Sequence, residues 1–142
     1  MKSKLVVKPT PEFGKGEKGL FAKENIKLDE IVIKMNADKV VRYTEDEWKD
    51  KYEKSKKKIP HDGAIYSSRV KAWVSDWASN RTPRWYRLNH SNKPNLIALW
   101  KGSPKEDAKK KGTLVWRALR KIKAGEQVKF DYGDVDESWN TD

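Results

Sequence analysis

Hydrophobic positions in this chain come in short runs broken by turn residues, the pattern of several small strands rather than a helical bundle. Leu5-Val6-Val7-Lys8 reads as a first strand, ended by Pro9-Thr10-Pro11. A glycine-rich turn, Gly14 to Gly19, leads into Leu20-Phe21-Ala22. Ile31-Val32-Ile33 and Val40-Val41 are β-branched runs, Leu96 to Trp100 and Thr113 to Ala118 are further strands, and Ala124-Gly125 marks a turn. Gln127 to Tyr132 alternates with period two, and Gly133 is expected to end that strand. Thr44-Glu45-Asp46-Glu47 is a capping-box pattern with Trp48 and Tyr52 spaced i, i+4 behind it, which predicts a helix over 45–57. Residues 64–88 are aromatic and fit either a short strand or an irregular stretch, and the charged segment from Lys101 to Gly112 reads as a loop.

At 142 residues the chain fits one domain, 1–142. Its 36% hydrophobic content is thin beside 37% charged, but seven Trp help, because each enclosed ring buries about 150–250 Å². No apolar run approaches the ~18 residues of a membrane span, so no membrane partner is expected. The first residues show no apolar signal-peptide core, and the absence of Cys removes disulfides, thiolate metal sites and Cys nucleophiles. A soluble intracellular protein is the expectation. The net charge of +11 suits a polyanionic partner, nucleic acid first, but a lysine-rich solvated surface accounts for it equally well.

The common catalytic constellations are missing. Only His61 and His90 are present, with no H-x-x-x-H spacing, so no metal site is expected. Ser91 beside His90 is not a nucleophile pair, because adjacent residues on an extended chain point apart. The glycine cluster lacks the Gly-Lys-Ser/Thr ending of a phosphate loop. By itself it is a turn, although its glycines permit close backbone approach to a ligand.

Three pieces carry a more specific signal. They are Gly19-Leu20-Phe21-Ala22, then Asn89-His90-Ser91-Asn92-Lys93-Pro94-Asn95, then Ile122 to Gly133 with Gly125-Glu126-Gln127 and Phe130-Asp131-Tyr132-Gly133. Together and in this order they resemble the signatures of SET-domain protein lysine methyltransferases: G-[LV]-F-A, N-H-S-x-x-P-N and G-E-E-hydrophobic-x-F-D-Y-G. The resemblance covers about residues 5–139, and its style is that of the minimal single-domain SET proteins of large DNA viruses and some bacteria. Taken singly, Tyr132 reads as a buried tyrosine at a strand end and Asn95 as a turn residue; their joint spacing favours the family.

The resemblance implies a mainly β fold with a few short helices, the β-clip arrangement of small sheets. In it a C-terminal strand passes beneath a preceding loop as a pseudoknot and brings Asn89 and His90 against Tyr132. S-adenosylmethionine would lie on the backbone of Lys18, Gly19 and Leu20, with Asn89 on its methionine moiety and the His90 backbone at its adenine. The His90 side chain would lock the crossing of the two segments. Tyr132 would be the catalytic tyrosine, and Phe130 would set the methylation state reached. Residues 44–77 match the family's variable insert, one wall of the peptide groove. Within the tail 133–142, Trp139 would either pack in the core or cover the adenine or substrate. The chain departs from the family where G-x-G usually stands: here it is Glu17-Lys18-Gly19, with Gly16 one place early. Tyr86 and Arg87 also exchange the Arg and aromatic that relatives often carry before the N-H motif.

The activity implied is transfer of a methyl group to lysine in a protein, a histone tail first, with location in a nucleus following from such a substrate. Phe130 implies a di- or trimethyl product, and a homodimer is left open. The rival reading is a basic nucleic-acid or chromatin-binding module without catalysis, through residues 49–58, with six Lys and net +4, and 101–111, with five Lys and net +3. Both segments also read as solvated faces, and as contacts to nucleosomal DNA.

Overall fold

A computed structural model describes residues 3–55, 58–77, 82–102 and 112–140, with backbone only for 134 and 136–140. The elements are, in order, β1 (Leu5–Pro9), β2 (Lys18–Ala22), β3 (Ile31–Lys34), β4 (Val41–Tyr43), α1 (Glu45–Lys54), β5 (Ile65–Ser67), β6 (Ala72–Ser75), β7 (Asn89–His90), β8 (Leu96–Lys101), β9 (Thr113–Ala118) and β10 (Gln127–Asn140). Short 3-10 turns occupy Pro11–Phe13 and Arg84–Arg87. Among the described residues no helix is long and apolar enough to cross a membrane. The fold is mainly β, as the sequence implies. Two compact units are formed: one from Met1–Lys34, Arg84–Leu99 and Val115–Asp136, the other from Met35–Pro83, Trp100–Leu114 and Glu137–Asp142.

The first unit contains most of a seven-stranded sheet in the order β1-β2-β10-β8-β9-β3, with β7 attached to β10. β1 and β2 are antiparallel, Leu5 facing Ala22 and Val7 facing Leu20. β2 continues onto β10 through Leu20 and Val128. Alternation places Leu5, Leu20, Ala22, Val128 and Phe130 in a core shared with Trp85, Leu88, Leu96 and Trp116, each at most 3% exposed. The turn before β10 is fixed by Glu126, whose carboxylate accepts from Arg120 (2.9 Å) and from the Lys123 N–H (3.2 Å). The Arg120 hydrogen bond lowers the Glu126 pKa from its ordinary value, against the opposing pull of desolvation. Gly125, at φ 93°, supplies the left-handed residue the turn requires.

The second unit holds the sheet β4-β6-β5. α1 starts with the full reciprocal capping box between Thr44 and Glu47. It buries Trp48, whose indole N–H donates to the His61 carbonyl (2.8 Å). The helix stops at Lys54 rather than 57, because Ser55 caps it and turns back to bond Ile59. The described residues within 64–88 include β5, β6 and the second 3-10 turn.

One further expectation fails. Gly133 does not end the last strand: β10 runs on to Asn140, so 133–140 is extended rather than a loose tail. A single glycine weakens a strand but leaves its donor and acceptor in place, and the Gly133 N–H is held by the Asp131 carboxylate (3.0 Å). Asn95 is not a plain turn residue. It is 6% exposed, its side-chain N–H donates to the Gln127 carbonyl (2.9 Å), and its side-chain oxygen accepts from the Lys129 N–H (2.8 Å). It thus replaces a strand partner along that stretch of β10. Asn95→Leu strands two buried backbone groups, and we expect a loss of about 2 kcal/mol, seen as a lowered melting temperature.

Candidate functional site

The implied site residues converge on the first six residues of β10. Gly19 sits in β2 opposite Lys8. A Cβ built there would lie 2.6 Å from the Gln127 Oε1 and 2.8 Å from the Asn89 Nδ2. Gly19 has no unusual backbone angle, so glycine is required for room and not for conformation. The positive-φ glycines of this loop are Gly14, at 128°, and Gly16, at 85°, the latter in open space. Lys18 presents its carbonyl to the Asn89 side chain (3.4 Å), and Leu20 is fully buried behind it. Gly19 therefore lies within a strand, one residue in from its start, rather than in a free turn.

Asn89 and His90 form β7, which runs parallel to β10 with Asn89 opposite Lys129 and His90 opposite Phe130. The Asn89 Nδ2 donates to the Gln127 Oε1 (2.8 Å). Its Oδ1 has no partner among the described residues. The crossing is closed by the Ser91 N–H bonding the Phe130 carbonyl (3.1 Å) and the Asn95 N–H bonding that of Lys129 (3.2 Å). His90 adds a third tie: its Nδ1 accepts the Tyr132 N–H (3.1 Å). That bond uses the Nδ1 lone pair, so the ring carries its proton on Nε2. The Asp131 carboxylate, 3.9 Å from Nδ1, is too far to compete as a hydrogen-bond partner.

Tyr132 stands where the aromatic core reaches the surface. Trp85 stacks on Trp116 (centroids 5.7 Å), Trp116 meets Phe130 edge-on (5.5 Å), and Phe130 lies 4.9 Å from Tyr132. His90 packs on the other side of Tyr132, also at 4.9 Å. Phe130 is 2% exposed and Tyr132 47%. The Tyr132 hydroxyl donates to the Leu88 carbonyl at 2.6 Å, which fixes where the phenol oxygen stands. A hydroxyl fixed in place on a half-exposed residue, beside a buried ring, can orient a polar group that arrives along an apolar wall.

Of the implied residues, Lys18, Gly19 and Asn89 form one cluster and His90, Phe130 and Tyr132 another, joined by the β7–β10 pairing. Trp139's side chain lies outside the described residues, as do Lys56 and Lys57 and residues 103–111. Sequence reading missed Gln127, Asn95 as a clamp, and the Leu88 carbonyl. Both side chains stand inside the quoted motifs, but nothing in one sequence announces a bond across 38 residues, as between Asn89 and Gln127.

A family model described as the SET domain matches residues 17–133. No curated protein matches the sequence. An apo PRC2 structure (ctPRC2) with two substitutions in Ezh2 superposes with a TM-score of 0.64 at 19% identity, covering 94% of this chain and 15% of that one. A Plasmodium falciparum crystal structure, provisionally assigned as a histone methyltransferase, superposes with a TM-score of 0.57 at 18% identity, covering 94% and 96%. At such identity the two likenesses speak for the fold, and the chain spans only a small part of the Ezh2-containing structure's chain. With the family match extending from the turn before Gly19 to Gly133, the chain belongs to the SET-domain family.

Proposed function

We propose that this protein is a lysine N-methyltransferase that takes its methyl group from S-adenosylmethionine. The observation that carries the reading is the placement of the Tyr132 hydroxyl: fixed on the Leu88 carbonyl, beside buried Phe130, and tied through His90 to the strand that bears Asn89.

The residues fit such a cofactor. Glycine at 19 lets the Asn89 and Gln127 amides close against the β2 backbone, where any Cβ would collide with them, and the Asn89 Oδ1, without a partner among the described residues, is an acceptor for an ammonium group. The backbone of Lys18, Gly19 and His90 would complete the hold. When bound, the cofactor supplies an electrophilic methyl on a positively charged sulfur.

The chain's own task is to present a neutral amine. At an ordinary pKa of about 10.4, only on the order of 1 in 2,500 lysines is neutral at pH 7, a cost of about 4.6 kcal/mol. An apolar wall of Phe130 and Tyr132 favours the neutral form by desolvation, and a neighbouring cation favours it further. His90 is a positioning group rather than a base, since its Nδ1 is already engaged. Tyr132 and backbone carbonyls orient the amine, so rate comes from proximity and alignment.

The substrate we propose is a histone tail, in keeping with the assignment given to the Plasmodium structure, with a nuclear location following from it. Asp131 supplies local negative charge beside Tyr132 for a basic peptide. The basic segments around residues 49–58 would recruit nucleosomal DNA. Calorimetric titration with S-adenosylmethionine tests the reading: saturable micromolar binding supports it, and none leaves only the nucleic-acid module.

Phe130 governs product. A Tyr hydroxyl at that position would hold a water by hydrogen bonds and fill the volume a second methyl needs, whereas Phe gives that water no anchor. The wild type is therefore expected to reach di- or trimethyl-lysine, and Phe130→Tyr to stop at monomethyl. Mass spectrometry of a peptide driven to completion decides, and a wild-type product halted at monomethyl contradicts it.

A further inference from the structure

The Lys129 side chain has no role in the site so far described, yet the register sets it directly beside Asn89. The two are partners in the parallel β7–β10 pairing, which places their Cα atoms about 4.8 Å apart with side chains on one face. The Asn89–Gln127 bond confirms the face, since Gln127 and Lys129 are two residues apart on β10. Gly19 opens onto the same side-chain amides.

The Lys129 ammonium has no carboxylate partner among the described residues. It rests instead over the Phe13 ring, 5.5 Å from the centroid. Phe13 is 49% exposed, large and apolar, on a loop held by the Phe13 N–H to Thr10 carbonyl bond (3.0 Å) and the Thr10 N–H to Glu17 carbonyl bond (2.8 Å). An aromatic face holds a cation without neutralising it, so the charge remains available to an anion. Thr10 adds a second, independent sign of a ligand surface. It is 0% exposed, its methyl lies 3.1 Å from the Cβ position built at Gly19, and its hydroxyl has no partner among the described residues. A buried unpartnered hydroxyl in a folded protein calls for a ligand or water group.

We propose that Lys129, held by Phe13, is a further cofactor-binding residue that takes the α-carboxylate of the cofactor's amino-acid end. The inference rests on the methyltransferase reading, in which Asn89 Oδ1 accepts from the ammonium of that same end. Carboxylate and ammonium share one carbon, so when Asn89 meets the ammonium a side chain beside Asn89 on the same face is within reach of the carboxylate. Lys129 is the cation whose backbone stands beside Asn89 in the strand pairing.

The test is calorimetric titration of wild type, Lys129→Met, Lys129→Arg and Phe13→Leu, each with S-adenosylmethionine and with its decarboxylated analogue. Lys129→Met is expected to weaken S-adenosylmethionine about tenfold or more and leave the decarboxylated compound unchanged. Lys129→Arg should keep most of the affinity, and Phe13→Leu should lose part of it for the carboxylate-bearing compound alone. Wild-type affinity in Lys129→Met, or equal losses for both compounds, overturns the inference and leaves the methyltransferase reading standing. If wild type binds neither compound, the reading itself fails and the inference with it.

Discussion

Tyr132→Phe is expected to cut methyl transfer by on the order of 100-fold or more while cofactor affinity stays nearly unchanged. The substitution keeps the ring and its contacts with Phe130 and His90 and removes one oxygen. That oxygen is fixed at 2.6 Å from the Leu88 carbonyl, so its direction into the site is set before any substrate arrives. A small misplacement of reacting groups is enough for a loss of that size. The fold should lose about 1–3 kcal/mol, because the carbonyl of Leu88, a residue 1% exposed, is left without this donor. Single-turnover methylation, set beside a cofactor titration of the same protein, separates the two effects. Wild-type turnover in the folded variant would remove Tyr132 from its assigned role.

The second large effect is expected at Gly19. In Gly19→Ala the new methyl would collide with the ends of Gln127 and Asn89, at 2.6 and 2.8 Å. Those two atoms are themselves hydrogen-bonded at 2.8 Å, so relieving the clash breaks that bond and turns Asn89 away. Overpacking of this kind costs about 1–3 kcal/mol of stability. Cofactor affinity should fall further, by roughly 100-fold, because the displaced amide is the one we assign to the cofactor. Gly16→Ala provides the contrast: it strains a left-handed backbone in open space and should lower stability while leaving the Asn89–Gln127 pair in place. A Gly19→Ala protein that melts and binds like wild type would contradict the packing described.

Much of this was legible from residues alone, for physical reasons that differ from place to place. The capping box at Thr44 is a local hydrogen-bond pattern, and the β9 span Thr113–Ala118 is a local apolar run; both appear where the sequence puts them. The end of α1 was not legible, because Ser55 closes it through Ile59, a contact the helical pattern does not encode. β7 is two residues long, too short for any periodicity, and exists through its pairing with β10. Gly133 looked like punctuation, yet an extended strand accommodates a glycine whose N–H finds a partner. Asn95 shows the limit most clearly. Its type and neighbours suit a turn, and only the fold reveals that both ends of its amide are spent on β10.

The site was legible as a set of motifs, not as a geometry. Gly19, Asn89, Phe130 and Tyr132 lie up to 113 residues apart in the chain and meet around one stretch of strand. What no motif indicates is the material between them: Gln127 bridging to Asn89, Leu88 fixing the phenol, and Lys129 with Phe13 on the same face as Asn89.

The central claim is methyl transfer to a lysine amine, and fragment mass spectrometry of a histone-tail peptide incubated with the protein and S-adenosylmethionine tests it most directly. The account predicts methyl groups on the side-chain nitrogen of a lysine, present with wild type and nearly absent with Tyr132→Phe. A set of such peptides left unmodified by a wild-type protein that binds the cofactor, or methylation undiminished by Tyr132→Phe, would contradict it.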